Sequence, residues 1–258
     1  MCTTAHGLSL HVSDTGTGSP TLVFLHYFGG SARTWQPVID RLSSQFRCLA
    51  IDLRGWGDSE ATPTGYAVAD MAGDVQAILD TLNLPRFVLV GHSMGGKPAQ
   101  LLAARAQPGL ERLLLIGPSP LSPEPMTDDD RAKMRSAWGN AEAARKTLDT
   151  IAKLPLSEAW QQQTIEDNLR AACPAWEAWA DLGSREDLSS LASQIAVPTA
   201  VLAGENDPVL SPDVLTREVT ERIPGATQTL LPGTGHLLPL EAPDAVADWI
   251  AAQVTTGL

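Results

Sequence analysis

Short apolar runs alternate with longer amphipathic stretches along most of the chain. A continuous run of Val, Leu and Ile bounded by turn residues is typical of a parallel strand buried on both faces. Six such runs predict strands, at Thr21–His26, Arg47–Asp52, Phe87–Gly91, Leu113–Gly117, Thr199–Gly204 and Gln228–Leu231. Helical spacing or a helix-start signature predicts helices between them, at Ala69–Leu82, Lys97–Gln107 and Ser211–Ile223. The alternation predicts an α/β fold with a mainly parallel sheet flanked by helices.

Two segments depart from this alternation. Gly7–Ser13 alternates with a period of two, which predicts an antiparallel edge strand. Residues 121–190 follow a connector rich in proline and contain helical patterns but no convincing strand. Within that stretch, Thr127 and Ser157 are suited to cap the starts of helices. We therefore predict a helical cap at 121–190, inserted into a core formed by residues 1–120 and 191–258.

The insertion at 121–190 is rich in tryptophan. It holds four of the seven in the chain, namely Trp138, Trp160, Trp176 and Trp179. Two interpretations stay open at this point. A small helical layer needs large side chains to build its own core, but some of the rings can instead face a substrate pocket beneath the layer. An aromatic side chain buries roughly 150–250 Å², enough for one or two to dominate the binding of an apolar group.

Composition and charge exclude several classes of protein. The chain has 258 residues, of which 43% are hydrophobic and 19% charged, as in ordinary globular domains. Its 18 basic and 30 acidic residues give a net charge of −12, so we expect neither a nucleic-acid nor an anionic membrane partner. No apolar run is long enough to span a bilayer, and we expect no signal peptide. Three widely spaced cysteines fit free thiols in a reducing compartment, which favours a cytoplasmic location.

The strongest chemical signal is the G-x-S-x-G sequence Gly91-His92-Ser93-Met94-Gly95. It follows a predicted buried strand and precedes a predicted helix, which is the context that a nucleophile elbow requires. The turn is tight, so a Cβ at Gly91 or Gly95 would collide with neighbouring backbone. The free amides and dipole at the start of the helix favour the negative charge that develops beside Ser93. The pattern predicts that Ser93 is a nucleophile.

A serine hydroxyl needs a base beside it, and the chain has five histidines. His6 and His11 flank the predicted edge strand, where we expect them at the surface. His92 is inside the elbow and should point away from its neighbour, while His26 begins a glycine-rich turn and is better suited to hold a loop. His236 follows the last predicted strand, in a loop at the carboxyl edge of the sheet, where open α/β sheets form their sites. We predict that His236 is the base.

The base needs a carboxylate that fixes its tautomer and stabilises the imidazolium. Asp207 comes directly after the predicted strand Thr199–Gly204 and therefore lies at the same edge of the sheet. Glu205 is two residues nearer the strand and is the alternative acid. Asp52 also ends a strand, but its surroundings favour a structural ion pair or a loop hydrogen bond. We predict Asp207 as the partner of His236.

At these residues the chain resembles the α/β-hydrolase fold family, in particular its serine esterases with a helical cap. The order Ser93, Asp207, His236 is the family's order of nucleophile, acid and base. Asp52–Ser59 resembles the D-x-R-G-x-G-x-S loop of many members. Leu25–Gly30 resembles the loop that supplies half of the oxyanion hole. The resemblance covers nearly the whole chain.

The resemblance implies roles for further residues. The oxyanion hole would be formed by the backbone N–H groups of Phe28 and Met94. The family usually has glycine after the histidine of the first loop, whereas this chain has Tyr27, whose phenol either packs over the loop or touches substrate. The implied reaction is hydrolysis of a small to medium, largely apolar carboxylic ester through an acyl-Ser93 intermediate. No motif indicates a metal or a nucleotide cofactor, so we expect none.

Several alternatives use the same residues. Lactone hydrolysis, cleavage of C–C bonds in β-diketones and perhydrolysis need the same triad and differ in pocket shape and water placement. A ligand receptor that retains the triad but turns over negligibly is the alternative from another class. A hydroxynitrile lyase would need a lysine near the site, and Lys97 should point away from Ser93.

Overall fold

The computed structural model describes residues 1–5 and 7–255, so His6 lies outside the described residues. It contains one eight-stranded sheet in the order β1-β2-β4-β3-β5-β6-β7-β8. Strands β3 to β8 run parallel, while β1 and β2 pair antiparallel with their neighbours. The strands are β1 Cys2–Ala5, β2 Leu8–Thr15, β3 Thr21–Leu25, β4 Cys48–Ile51, β5 Phe87–His92, β6 Leu110–Ile116, β7 Thr199–Gly204 and β8 Thr227–Leu231. The predicted α/β fold with a mainly parallel sheet is confirmed.

The N-terminal part of the sheet corrects one prediction. The segment predicted as an edge strand is β2, and it is antiparallel as expected, but it pairs with β1 on one side and β4 on the other. The edge is β1, which the sequence analysis missed because a strand of four residues carries too short an alternation to recognise. The six other predicted strands are present with boundaries that differ by up to three residues.

Helices cover both faces of the sheet and create two apolar layers. Residues of α1 and α10 pack with Phe24, Val90 and Leu114 on one face. Residues of α2 and α3 pack with Val23, Leu89 and other strand residues on the opposite face. The helices of the core are α1 Gln36–Leu42, α2 Val68–Leu82, α3 Gly96–Ala104, α8 Pro212–Leu215, α9 Leu238–Glu241 and α10 Pro243–Thr255. A wider helical turn, Thr216–Thr220, continues α8.

Between β6 and β7 the chain is helical, and residues 117–198 contain no strand. We call residues 121–190 the insertion. Its helices are α4 Asp128–Ser136, α5 Ala141–Ile151, α6 Glu158–Arg170 and α7 Cys173–Ala178. The hydroxyls of Thr127 and Ser157 accept amide N–H bonds at the starts of α4 and α6, as their sequence positions predict.

Buried charged side chains fasten the insertion to the core. The ammonium of Lys97, on α3, is fully buried and donates to the carbonyl oxygens of Ser122, Gly183 and Glu186 at 3.2, 3.0 and 2.7 Å. The three acceptors lie near the two ends of the insertion, so one ammonium group joins both ends to α3. Within the described residues, no helix is long and apolar enough to cross a membrane.

Candidate active site

The turn between β5 and α3 has the geometry of a nucleophile elbow. Ser93 has a backbone φ of +48°, in the left-handed region that non-glycine residues seldom adopt. A Cβ on Gly91 would lie 2.7 Å from the Cα of Gly96, and a Cβ on Gly95 would lie 2.6 Å from the carbonyl oxygen of His26. The two glycines are therefore required by close backbone approach, as the sequence predicts. The turn presents the Ser93 side chain above the carboxyl edge of the sheet.

The structure brings Ser93, His236 and Asp207 together. The Nε2 atom of His236 lies 2.8 Å from the Ser93 Oγ, and its Nδ1 atom lies 2.7 Å from the Asp207 Oδ2. The other Asp207 oxygen accepts the amides of Val209 and Leu210 at 2.8 and 3.1 Å. Ser93, His236 and Asp207 are all buried. A base, an acid that orients it and a hydroxyl thus form one continuous hydrogen-bonded chain.

Burial and the contact between His236 and Asp207 shift the pKa of each residue in opposite directions. Burial alone would lower the pKa of His236, but the adjacent Asp207 carboxylate, together with Glu124 and Glu241, outweighs burial and raises that pKa above its ordinary value. Burial alone would raise the pKa of Asp207, but His236 and the two amides hold that pKa below its usual range. Asp207 is therefore ionised at neutral pH and stabilises a protonated His236.

Two other buried histidines make structural hydrogen bonds, and the predictions that His26 holds a loop and that His92 points away from Ser93 agree with these contacts. His92 points away from Ser93, and its Nε2 donates to the carbonyl oxygen of His236 at 2.8 Å. Burial lowers the pKa of His92 to about 3, so it is neutral and serves as a donor. His26 donates from Nδ1 to the Tyr27 carbonyl and accepts the Leu53 amide at Nε2.

The alternative acids lie elsewhere. Glu205 is exposed, and its carboxylate accepts the Gly233 amide at 2.8 Å. Asp52 accepts the amides of Ala32 and Asp58 at 2.5 and 2.9 Å and lies 2.9 Å from the Nδ1 of His11. Asp52 therefore organises the loop that follows β4, which is the structural role predicted for it.

The amides of Phe28 and Met94 are available as an oxyanion hole. In the part of the chain that the structure describes, neither amide has a main-chain acceptor. The two loops that carry them are joined by a hydrogen bond from the Gly95 amide to the His26 carbonyl at 3.1 Å. This bond fixes the two loops relative to each other, which is the condition under which both amides could serve an oxyanion without rearrangement.

A cavity of about 560 Å³ is enclosed mainly by residues of the insertion and is closed on one side by the loop after β3. Its walls come from the loop after β3, from α4, α5 and α6, and from Trp176 of α7. Phe28, a predicted oxyanion donor, lines the cavity, whereas Ser93 and His236 are not among the lining residues. Most of the lining is apolar or aliphatic, and two lysines, Lys133 and Lys146, also contribute. The principal apolar lining residues are Tyr27, Phe28, Met134, Ala137, Leu148, Ile151 and Trp176.

The four tryptophans of the insertion have different surroundings. Trp176 lines the cavity, and its ring centroid lies 4.3 Å from that of Phe28. Trp138 is 42% exposed and donates to the Ala171 carbonyl. Trp160 packs against a small apolar cluster that includes Leu148. Trp179 is buried in the core.

Tyr27 packs over its loop, which is one of the two roles that the sequence left open, and contact with substrate stays a prediction. Its ring covers the loop so closely that a Cβ on Gly30 would lie 2.4 Å from it. The same side chain also lines the cavity. Burial raises the pKa of the Tyr27 phenol, with Asp167 adding to the rise and the Thr164 hydroxyl opposing it. The phenol is therefore neutral and offers a hydroxyl near the cavity.

Sequence reasoning missed two buried carboxylates near the site. Glu124 hydrogen-bonds to the hydroxyl of Ser119, whose amide donates to the Ser93 carbonyl at 2.9 Å, and burial raises the pKa of Glu124. Glu241 follows His236 by five residues and accepts several amides. Its signal in the sequence is an acidic residue inside an otherwise apolar segment, Leu237–Ala242.

One group of possible metal ligands occurs among the described residues, formed by His11, Asp52 and Asp58. Asp52 already accepts two amides, and Asp58 pairs with Arg170 at 2.7 Å. These contacts account for the cluster as part of the loop structure, and it lies outside the chain of Ser93, His236 and Asp207.

A family model for the alpha/beta hydrolase family matches residues 22–249. The chain belongs to the alpha/beta hydrolase family. It covers 99% of an esterase from Exiguobacterium antarcticum with a TM-score of 0.92 at 23% identity, a likeness of fold alone. With an enol-lactonase from Burkholderia xenovorans LB400, the TM-score is 0.86 at 26% identity, over 99% of this chain and 100% of the other. The protein is thus a hydrolase by family, as the resemblance implies.

Curated relatives of the chain include proteins with a different named activity. A 2-succinyl-6-hydroxy-2,4-cyclohexadiene-1-carboxylate synthase from Salmonella heidelberg is 32% identical, over 91% of this chain and 93% of the relative. The corresponding synthase from Salmonella arizonae is 30% identical over 91% of this chain. Proteins similar to this chain therefore carry the names of an esterase, an enol-lactonase and synthases, and fold does not select among these activities.

Proposed function

We propose that the protein hydrolyses carboxylic esters through an acyl-Ser93 intermediate. The observation that carries the proposal is the hydrogen-bonded chain from Asp207 through His236 to the Ser93 hydroxyl, with distances of 2.7 and 2.8 Å. A serine hydroxyl becomes a useful nucleophile only when a base accepts its proton. Neutral His236 is that base, and Asp207 fixes its tautomer and stabilises the imidazolium.

The first half of the reaction acylates Ser93. Its Oγ bonds to the ester carbonyl carbon while its proton passes to the Nε2 of His236. The carbonyl oxygen takes up negative charge and accepts N–H bonds from Phe28 and Met94, donors that are each worth about 3 kcal/mol in a transition state. When the C–O bond breaks, His236 gives its proton to the departing alcohol.

The second half releases the acid. A water molecule transfers a proton to His236 and adds its oxygen to the acyl carbon. The bond between that carbon and the Ser93 oxygen then breaks, and His236 returns the proton to Ser93. One ester and one water become one acid and one alcohol, and the protein regains its starting state.

The cavity supports a small to medium, largely apolar substrate. Its volume of about 560 Å³ falls within the range of roughly 300–1,000 Å³ that is usual for small-molecule sites. Leu148, Ile151 and Trp176 supply apolar wall. Lys133 and Lys146 are the lysines of the wall, whereas the buried Lys97 and Arg131 donate to protein oxygens and do not line the cavity.

Labelling with a fluorophosphonate tests the nucleophile directly. We expect one label per chain on Ser93, and we expect Ser93→Ala to lose both the label and hydrolysis of p-nitrophenyl acetate and butyrate. Because triad members act as a unit, the loss should equal that of the double variant with His236→Ala. Ser44→Ala, which changes an exposed serine, is the matched control. A label on Ser59 or Ser119 would contradict the assignment.

A substrate panel tests the reaction class. Aryl esters, lactones and β-diketones should be compared at equal concentration, and we expect the highest kcat/KM for the esters. Efficient turnover of lactones alone would make the protein a lactonase with the same triad. Ser93 labelling without measurable turnover of any panel member would instead favour the ligand receptor.

The synthase activity is a second candidate, because it is named for relatives that are 30–32% identical. The product in that name is a carboxylate, so its site needs a cation. Lys133 and Lys146 are the lysines that line the cavity. Calorimetric binding of that product, weakened at least tenfold in a Lys133→Ala, Lys146→Ala double variant, would favour the synthase. Absence of binding would leave the esterase as the better candidate.

A further inference from the structure

The side chain of Glu241 connects two parts of the molecule that meet at the candidate base. One of its oxygens, Oε2, accepts the amides of Lys153 and Leu154 at 2.8 and 2.9 Å and that of Gly235 at 2.8 Å. The other oxygen, Oε1, accepts the amide of Leu237 at 2.9 Å. The residue is only 8% exposed. Four amide donors satisfy a carboxylate that would otherwise be costly to bury.

The four amides belong to two segments. Gly235 and Leu237 flank His236, so Glu241 holds the main chain on both sides of the base. Lys153 and Leu154 follow the C-terminal end of α5, whose residues Leu148 and Ile151 line the cavity. One carboxylate therefore fixes the position of the base relative to a wall of the substrate cavity.

Two further contacts join the same segments. The His236 amide donates to the Ile151 carbonyl at 2.8 Å. A Cβ on Gly235 would lie 2.2 Å from that carbonyl oxygen, so the loop and the end of α5 approach as closely as backbone allows. Without the Glu241 carboxylate, the amides of Gly235 and Lys153 would face each other with no acceptor between them.

We propose that Glu241 is a positioning residue, which holds the His236 loop against the end of α5 so that the base is aligned with Ser93 when the cavity wall is in place. The proposal rests on the proposed function insofar as it assigns His236 the role of base. It names no contact between Glu241 and substrate. Misplacing a catalytic group by about 1 Å costs roughly 10²-fold in rate, so holding this loop has a measurable kinetic consequence.

Glu241→Gln is the test, because glutamine has nearly the same shape but only one acceptor oxygen. The amide nitrogen of glutamine must then face either Leu237 or the other three N–H groups, and one side of the connection is lost. We expect kcat for p-nitrophenyl butyrate to fall roughly 10- to 100-fold. Amide exchange at Lys153, Leu154, Gly235 and Leu237 should become faster. Glu241→Asp, which keeps both oxygens, should recover part of kcat.

Glu205→Gln is the matched control. Glu205 also accepts one amide of the loop before His236, that of Gly233, but among the described residues no hydrogen bond joins it to α5 or to Lys153 and Leu154. We expect this variant to keep the wild-type kcat. The comparison separates a general effect of removing a carboxylate near the loop from the specific connection made by Glu241.

The pH profile distinguishes positioning from simple loss of stability. Asp207, Glu124 and Glu241 face His236 and favour its protonated form, while His92 is neutral. Removing the Glu241 charge should lower the pKa of His236 and move the acid limb of kcat/KM to lower pH. A kcat that falls only in proportion to the unfolded fraction, with an unmoved limb, would overturn the proposal. So would a Glu241→Gln variant that matches Glu205→Gln.

These readouts also separate this proposal from the proposed function. The pKa of His236 can be followed by NMR titration, and amide exchange by mass spectrometry, without any turnover. If the wild type hydrolyses no ester, altered exchange at both segments together with a lowered pKa of His236 in Glu241→Gln still supports positioning. Unchanged exchange and an unchanged pKa overturn it, whatever the substrate.

Discussion

The sheet and the insertion differ in the kind of side chain that each of them buries. Every residue of β5 and β7 is buried, and both strands consist mainly of apolar side chains. In α4, by contrast, the one buried residue is Arg131, and α6 buries Thr164, Ile165 and Asp167. The core is stabilised by removing apolar surface from water, whereas α4 and α6 are attached largely through charged and polar groups, and α7 with Trp179 adds the apolar contact of the insertion with the core. We therefore expect chemistry to depend on the rigid region and substrate choice on the attached one.

The largest effect should come from Asp207→Asn in the rigid region. We expect kcat to fall roughly 10⁴-fold through loss of the correct His236 tautomer. The melting temperature should change little, because asparagine retains an oxygen for the Val209 and Leu210 amides. The measurements are kcat and Tm, with Glu205→Gln as control. A mild Asp207→Asn beside a damaging Glu205→Gln would exchange the two roles.

The pH dependence of kcat/KM in the wild type follows from the pair formed by His236 and Asp207. Asp207 raises the pKa of His236 above its ordinary value of about 6.5, and the base acts in its neutral form. The acid limb of kcat/KM should therefore lie above pH 6.5. A limb below that value would mean that the group that titrates is not the Asp207-paired His236.

Lys97→Met tests how far a buried charge fastens the insertion. The change leaves three carbonyl oxygens without their donor, at a cost of about 1–3 kcal/mol in the free energy of unfolding. Lys153→Met, which removes an exposed ammonium that donates to the Thr150 carbonyl, is the matched control. Denaturant unfolding at pH 7 measures both. Equal stability of the two variants would mean that the Lys97 contacts contribute nothing net.

The lowered pKa of Lys97 also predicts how its contribution to the free energy of unfolding changes with pH. Burial lowers the pKa of Lys97 to about 8, below its unfolded value of 10.5. Between these values the unfolded chain binds more protons than the folded one, so this group makes folding more favourable as pH rises. The stability difference between wild type and Lys97→Met should therefore grow from pH 8 to pH 10. A difference that shrinks over that interval contradicts the lowered pKa.

The smallest effect concerns substrate choice. Trp176→Ala enlarges the cavity beside Phe28, so we expect the ratio of kcat/KM for long and short acyl esters to change roughly tenfold. Trp179→Ala removes a ring from the core and should lower Tm while the chain-length profile keeps its shape. If Trp138→Ala and Trp160→Ala leave the profile unchanged and Trp176→Ala does too, the pocket is formed elsewhere, with Tyr27 the next residue to change.

The sheet could be predicted from the sequence more fully than the contacts of the insertion. The parallel strands, the elbow at Ser93 and the positions of His236 and Asp207 depend on local patterns, because a buried strand and the turn after it are written in consecutive residues. The edge strand β1 is too short for such a pattern. The cavity brings Tyr27 together with residues of α4 to α7. These segments are far apart in the sequence, and no repeating pattern of residues links them. Glu241 is marked only as an acid inside the apolar segment Leu237–Ala242, and the main-chain amides that it accepts cannot be deduced from the sequence.

The left-handed backbone of Ser93 bears on how this protein can change over generations. A side chain at φ +48° costs folding energy that glycine avoids. Drift under selection for folding alone would therefore favour glycine at position 93, since the substitution relieves the torsion and removes only a hydroxyl. A serine in that position is destabilising, and under the proposed function selection for its hydroxyl is what retains it. Loss of activity and gain of stability are thus one mutational step apart.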